Sequence, residues 1–317
     1  MDLQKLKKIL PIIGIIIFIY IIFNIGLDKI LNALSTFPPQ YIILLFFLWI
    51  PCTSIGTYNW QFILKKQKIK VSYLFLFKTL LIAHFLGSIT PGNIGAFSTI
   101  FLLKEKSGEP IEKCTTNVLL QTVIASLTLL SLALIGLLLF IQKQYFQSYL
   151  PLLIILFLIL LILSMIFFVE KIGRKILKNF LKIFLPKKHK KKANYFAEMF
   201  YKDFPSLKSI FILIILSFLN WFVLFCIIYL IAGLLLIDIP FIYFIFIYAV
   251  GVILESLPIS IGGFGIREAG IIPLFLVFGV SPEKVVALGL LQSIFVSWGV
   301  SGAVGAFLYL KKQNKNN

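Results

Sequence analysis

Acidic side chains are scarce in this 317-residue chain: 12 Asp and Glu stand against 30 Lys and Arg, for a formal net charge of +18. Histidine, with two copies, and cysteine and methionine, with three each, are rarer still. So few His and Cys leave no metal-ligand spacing and no disulfide framework, and no cofactor is expected. Cys52, Cys114 and Cys226 lie far apart, in or beside apolar runs, and read as small buried hydrophobes. Charged residues make up 13% of the chain, 60% is hydrophobic, and the mean hydropathy is +1.02. That shortage of polar surface excludes a soluble domain of this size.

What is present is a series of apolar runs, several long enough to cross a hydrocarbon core of ~30 Å. Backbone groups in lipid must be paired within the chain, so helices or a closed barrel are the only spanning solutions. The runs are too long and too uniformly apolar for barrel strands, which leaves an all-α polytopic membrane protein. The first run, Ile9 to Phe23, follows Lys5, Lys7 and Lys8 as a signal peptide would. Asn24-Ile25-Gly26-Leu27-Asp28 is a poor cleavage site, so the run is expected to stay as an anchor.

Excess positive charge raises the question of nucleic acid, but its placement argues for a membrane. Five clusters hold 25 of the 30 basic residues: Lys5/7/8, Lys65/66/68/70, Lys104/106/113, twelve within 170–208, and Lys311/312/315. Placing every cluster in the cytoplasm fixes the parity of crossings. Span 1 (about 9–26) leads out and span 2 (about 41–63) returns. Span 3 (about 114–141) leads out and span 4 (about 151–169) returns. Span 5 (about 207–233) leads out again, and the last span (about 283–310) returns to a basic C-terminus. Both termini are then cytoplasmic, in a cell membrane.

Two segments, 71–103 and 241–280, must start and end on one side. Each has two short apolar runs around a break: Gly87-Ser88-Ile89-Thr90-Pro91-Gly92-Asn93-Ile94-Gly95 in the first and Pro258-Ile259-Ser260-Ile261-Gly262-Gly263-Phe264-Gly265 in the second. Proline stops the incoming helix and glycine permits the sharp turn. Run length favours re-entrant hairpins over pairs of complete kinked spans. The expectation is therefore about six full spans plus two hairpins. A single membrane domain over 9–310 is flanked by tails 1–8 and 311–317. The halves, about 41–141 and 207–310, look repeated. Asn93-Ile94-Gly95-Ala96-Phe97 recurs 167 positions later as Ser260-Ile261-Gly262-Gly263-Phe264. Glu112-Lys113 and Leu119-Leu120-Gln121-Thr122 recur at an offset of 171 as Glu283-Lys284 and Leu290-Leu291-Gln292-Ser293. The charge map gives the two copies opposite orientation, an inverted repeat of the kind that places substrate where broken helices meet.

Ionisable residues at membrane depth are few and costly. Here they are Lys78 and His84 in the first hairpin and Glu255, Arg267 and Glu268 in the second. Neighbours on a helix point about 100° apart, so Arg267 is not expected to pair with Glu268 alone, and Glu255 is its plausible partner. The guanidinium fork and the N–H groups of Gly262, Gly263 and Gly265 suit a phosphate. A phospholipid or polyprenyl-phosphate head group near Arg267 is one reading; a structural ion pair fixing the hairpin is the other. Lys78 reads as snorkelling, His84 as a core histidine or a site residue, and Gln121 and Gln292 as a polar path or interhelical bonds. Gly299, Gly302 and Gly305 read as a close-packing face.

Between the halves, the 170–206 loop opens as a basic amphipathic helix, with Ile172, Ile176, Leu177, Phe180, Leu181 and Phe184 opposite the lysines and an end near Pro186. With the run Lys187 to Lys192, the 170–192 segment should hold anionic lipid head groups. Nucleic acid is a poor alternative without a matching motif.

Leu257-Pro258-Ile259-Ser260-Ile261-Gly262-Gly263-Phe264-Gly265-Ile266-Arg267-Glu268-Ala269-Gly270, with Phe278-Gly279-Val280-Ser281, resembles the signature of the flippase-like membrane domain of lysylphosphatidylglycerol synthases. Thr90-Pro91-Gly92-Asn93-Ile94-Gly95 and Phe101-Leu102-Leu103 are similar to its first-half motif. The resemblance covers about residues 9–310. Family members often carry an acidic residue after the first motif's glycine and an arginine soon after; here those places hold Ala96, Ser98 and Thr99. The resemblance implies a lipid translocase without synthase activity. Other readings are a non-catalytic membrane partner for a separately encoded lipid-modifying transferase, or an intramembrane lipid-modifying enzyme.

Overall fold

The computed structural model describes residues 3–139, 168–184 and 190–316, with positions 151, 154, 155, 157–159, 161 and 162 in between. Thirteen α-helices are described. In the first half they are α1 (Leu3–Ile25), α2 (Leu27–Ser35), α3 (Ile42–Lys66), α4 (Tyr73–Ser88), α5 (Thr99–Ser107) and α6 (Ile111–Leu139). Next come α7 (Glu170–Phe184) and α8 (Lys190–Phe200). The second half has α9 (Leu207–Leu234), α10 (Phe241–Glu255), α11 (Ile266–Leu276), α12 (Pro282–Gln292) and α13 (Val300–Asn316). Among the described residues there is no strand, only a single antiparallel bridge between Pro91 and Ile261.

Four stretches are long and apolar enough to cross a membrane: Pro39–Lys66, Ile111–Gly136, Leu207–Leu234 and Pro282–Asn314. They correspond to spans 2, 3, 5 and the last span. Nine of the 19 residues of span 4 (151–169) lie outside the described residues, as do Lys187, Lys188 and His189 of the basic run. Span 1 is not a simple rod. The chain bends by 83° between α1 and α2, at Gly26, whose φ of +94° is open to glycine and strained for other residues. Helix α2 went unrecognised in the sequence; it buries Ile30 and Ala33 and packs against α12. Apolar side chains such as Ile19, Phe23, Ile43, Phe47, Phe211 and Ile215 stay exposed, as lipid contact requires.

In each half a helix runs into a glycine-rich tip, a short helix leaves it, and a longer helical stretch follows. In the first tip, Asn93 and Gly92 take left-handed φ values of +56° and +59°. Thr90 Oγ1 ties the turn by donating to Leu86 O at 2.7 Å and accepting from Gly95 N–H at 2.7 Å. A Cβ on Gly95 would fall 2.1 Å from Leu86 O, so only glycine fits. The second tip uses positive φ at Gly262, Gly263 and Gly265. One hydrophobic cluster, centred on Phe225, Phe244, Phe246 and Phe275, fills mainly the second half. Another, around Trp60, Leu64, Leu76 and Leu103, fills the first. Helix α13 lies against α4 with Gly305 at the contact, where a Cβ would meet Leu81 O at 2.1 Å; this is the close approach small residues allow.

Several basic clusters gather at one end of the bundle. Lys68 Nζ donates to Asp203 Oδ1 at 2.9 Å, and buried Lys113 reaches Asp203 Oδ2 at 3.4 Å and Glu109 at 3.2 Å. Lys312 pairs with Glu105. Helix α7 exposes Ile172 and Ile176, and its expected end near Pro186 lies outside the described residues. The hydrogen bond from Lys68 holds the Asp203 carboxyl below its ordinary value of 3.8, with the charges of Lys68 and Lys113 acting in the same direction against partial desolvation. A depressed carboxyl stabilises the fold above the unfolded-state value and loses that contribution as pH falls through the lower folded value. The melting-temperature difference between wild type and Asp203→Asn is therefore expected to be constant near neutrality and to shrink toward zero on acidification below about pH 4. A difference independent of pH contradicts this anchor.

Candidate functional site

Helix α11 starts on Gly265, whose N–H would be orphaned at a helix N-terminus buried in protein. Glu268, three residues on, folds its carboxylate back and accepts that N–H through Oε2 at 2.8 Å. This is one half of a capping box. The fold-back leaves Oε1 beside the residue before it. Arg267 Nε and Nη2 donate to that oxygen at 2.9 and 2.6 Å. The direct pair forms despite the ~100° offset of neighbouring side chains, and Arg267 does not pair with Glu268 alone, since Glu255 also stands within ion-pair range. That offset describes where side chains leave the helix, and the cap turns Glu268 back into reach of a long arginine.

Arg267 is fully buried and Glu268 is 1% exposed. Nη2 also donates to Gly289 O at 3.0 Å and to Ser293 Oγ at 3.3 Å, which ties α11 to the end of α12. Ser293 opens a π-helical segment, Ser293–Trp298, and it in turn donates to Gly289 O at 2.8 Å. Glu255, at the end of α10, is the second carboxylate: its Oε2 stands 3.6 Å from Arg267 Nη1, within ion-pair range but beyond hydrogen-bond length. A Cβ on Gly263 would come within 2.5 Å of the Glu255 side chain, so the second tip needs glycine there to fold over it. Tyr248 Oη, Ser260 Oγ, Arg267 Nη1 and Gln292 Oε1 are buried without a hydrogen-bond partner.

In front of this cluster lies a cavity of about 340 Å³, walled by α3, α4, α6, α9 and both tips. Its volume falls within the range of about 300–1,000 Å³ usual for small-molecule sites. His84, Asn93, Gln121, Glu255 and Gly262, all singled out in the sequence, line it. Arg267 does not; it stands behind Glu255, with its donors turned to protein. Glu268, Gly265 and Gln292 are likewise in the packed layer behind, and Lys78 is exposed on α4 away from the lining. Pro91 pairs with Ile261 across the tips, and a Cβ on Gly92 would touch the Pro258 ring carbon at 3.1 Å, so the four tip residues join the two halves.

Other parts of the wall escaped the sequence reading. Trp49, Trp221 and Asn220 line the cavity, and Trp49 Nε1 and Asn220 Oδ1 have no partner. An aromatic or an asparagine in an apolar run gives no sign of the face it will take. Gly14 on α1 is also unforeseen: its N–H donates to Ile259 O at 3.1 Å, and a Cβ there would meet Ser260 at 2.5 Å, so α1 braces the second tip. Among the described residues no group of three His, Cys, Asp or Glu stands together as a metal site.

Long apolar helices, two broken ones with glycine-rich tips and, where the tips meet, a cavity with a few polar side chains in its wall define a multi-pass α-helical membrane protein with an internal site. The profile described as "Lysylphosphatidylglycerol synthase TM region" matches residues 11–303. The chain belongs to that family. It is also 35% identical over 101 residues to a UPF0104 membrane protein of Methanocaldococcus jannaschii, a stretch covering 31% of this chain and 30% of that relative. The match thus spans under a third of that protein's length.

Removing one member of a buried ion pair strands the other, at a cost of about 3–5 kcal/mol. Arg267→Met is expected to lower thermal stability in detergent by that amount, leaving Glu268 and Glu255 facing one another. Arg267→Met combined with Glu268→Met is expected to recover part of the loss. A single variant as stable as wild type contradicts the assigned role of Arg267.

Proposed function

We propose that the protein moves a phosphate-bearing lipid, an anionic phospholipid or a polyprenyl-phosphate-linked lipid, between membrane leaflets. The observation that carries this reading is the cavity at the meeting point of two glycine-hinged tips, with His84, Asn93, Gln121 and Glu255 set in a largely apolar wall, inside a chain of the lysylphosphatidylglycerol synthase membrane family. A site in that position suits a substrate whose head group must cross hydrocarbon while its acyl chains remain in it. The halves act as an inverted repeat, with the tips entering as re-entrant hairpins from opposite faces. The antiparallel contact of Pro91 with Ile261 is in keeping with that arrangement. The end that gathers Lys68, Lys113 and Lys312 is cytoplasmic by the distribution of basic residues. Both termini lie in the cytoplasm, and the membrane is the plasma membrane.

The chemistry of the wall divides the work. His84, Asn93, Gln121 and the Trp49 indole N–H offer neutral donors to phosphate oxygens, and Glu255 accepts from hydroxyl or ammonium groups. Neutral donors replace hydration without holding the anion as tightly as an arginine would, which favours passage over storage. Arg267 acts from behind, fixing the tip that carries Gly262.

Reconstituted vesicles with a fluorescent-tagged anionic phospholipid are expected to show protein-dependent exchange between leaflets. Gly56 lines the cavity, and a Cβ there would make only ordinary contacts, 3.7 Å to Asn220 and 3.9 Å to Leu80. Gly56→Ala should therefore leave exchange near the wild-type rate. Gly56→Trp should fill the space and slow exchange about tenfold or more, the effect of a barrier raised by ~1.4 kcal/mol. Equal rates for Gly56→Trp and wild type, in protein that elutes as a folded species, contradict the proposed route.

A further inference from the structure

Glu268 and Glu255 are the same functional group beside the same guanidinium, yet their surroundings differ. The two oxygens of Glu268 receive three donors: Arg267 Nε, Arg267 Nη2 and the Gly265 N–H. That satisfaction suits a carboxylate ion. Among the described residues Glu255 has only the 3.6 Å contact with Arg267 Nη1, and its side chain, 14% exposed, faces the cavity.

Charge counting then leaves a surplus. Two carboxylates share one guanidinium, so the cluster carries one uncompensated negative charge if both ionise. Among the described residues the other titratable groups around Glu255 are Tyr248, on its own helix and fully buried, and, lining the same cavity, His84 from α4 and Cys52 from α3. None of them supplies a fixed positive charge. An uncompensated charge at membrane depth is costly. A metal ion is a poor remedy, because it would sit against a guanidinium whose nitrogen is already 3.6 Å from the same oxygen. A proton cancels the charge without a coordination shell.

We infer that Glu255 is a proton-binding site that exchanges with the cavity, and that lipid movement through the cavity is coupled to that proton. The coupling rests on the transport reading above; the proton site stands on the ion cluster alone. Binding converts the Glu255 carboxylate and one H⁺ into the acid, whose O–H is then a donor to the cavity. Release returns H⁺ to the water that the cavity meets and restores the carboxylate. No electron transfer and no covalent bond to the lipid is involved.

Infrared difference spectroscopy of the protein in vesicles, titrated in pH, reads a protonated carboxyl directly through its C=O stretch. Wild type is expected to show such a band near neutral pH that fades as pH rises. Glu255→Gln should lack it, and Glu255→Asp, which keeps the carboxyl and guards against a folding defect in the first variant, should show it at a shifted frequency. A band unchanged in both variants, or one that responds to sodium at fixed pH, overturns the proton site. In the same vesicles an imposed pH gradient is expected to drive tagged-lipid exchange in wild type and not in Glu255→Gln. Exchange that ignores the gradient in both overturns the coupling while leaving transport intact. Absence of exchange in every vesicle, with the Glu255 band present, overturns the transport reading and the coupling, and leaves the proton site standing.

Discussion

The carboxylate of Glu268 folded back on the N–H of Gly265 is the contact on which the rest of the site depends. It caps α11, and by doing so it presents an oxygen to Arg267, which carries on to Gly289 and Ser293. One short relay thus joins a tip, a short helix and the π-helical break in the last span. Lipid tails are as apolar as leucine, so exclusion from water does little to hold one helix against another in the membrane. Specific polar contacts and close packing must supply the uniqueness of the fold. A buried arginine with few alternatives is well suited to that, because any other packing would strand its charge.

Close packing does the remainder, and it does so at glycines. Gly95 admits Leu86 O, Gly136 admits the ring of Phe246, and Gly305 admits Leu81 O, each at a distance no Cβ tolerates. These approaches bring α4, α6, α10 and α13 near enough for two interrupted helices to meet tip to tip. Breaks in membrane helices leave backbone groups to satisfy, and here Thr90, Glu268 and the α1 backbone at Gly14 satisfy several of them. The interruptions are thereby kept inside protein, around a cavity that has polar groups in its wall.

Much of this was legible in the chain itself. Uniform apolar runs marked spans 2, 3, 5 and the last, because the hydrocarbon core imposes both length and composition. Proline and glycine marked both tips, because proline stops a helix and glycine admits the turn, and His84, Asn93, Gln121, Glu255 and Gly262 do line one cavity. Glu255 was legible as a partner of Arg267, but the cap that bends Glu268 back was not, because residue spacing fixes where side chains depart and says nothing of a carboxylate turned to its own helix N-terminus. Trp49, Asn220 and Trp221 were missed because their runs are apolar on every side, so no periodicity reports which face turns inward. The bend at Gly26 and the packing of α2 also depend on tertiary contact: a Gly between apolar stretches reads equally well as a loop.

The account as a whole requires that the two tips touch. Cysteines placed at Pro91 and Ile261, in protein whose Cys52, Cys114 and Cys226 have been replaced, measure that contact through disulfide formation in native membranes. Facing positions of an antiparallel pair lie about 4.5–5.5 Å apart at Cβ, close to the span a disulfide bridges with slight adjustment. The account predicts rapid and nearly complete crosslinking under mild oxidant, with little crosslinking when the second cysteine is moved to the lipid-facing Leu276. Tips that fail to crosslink, in protein that is folded and has both thiols intact, would contradict it.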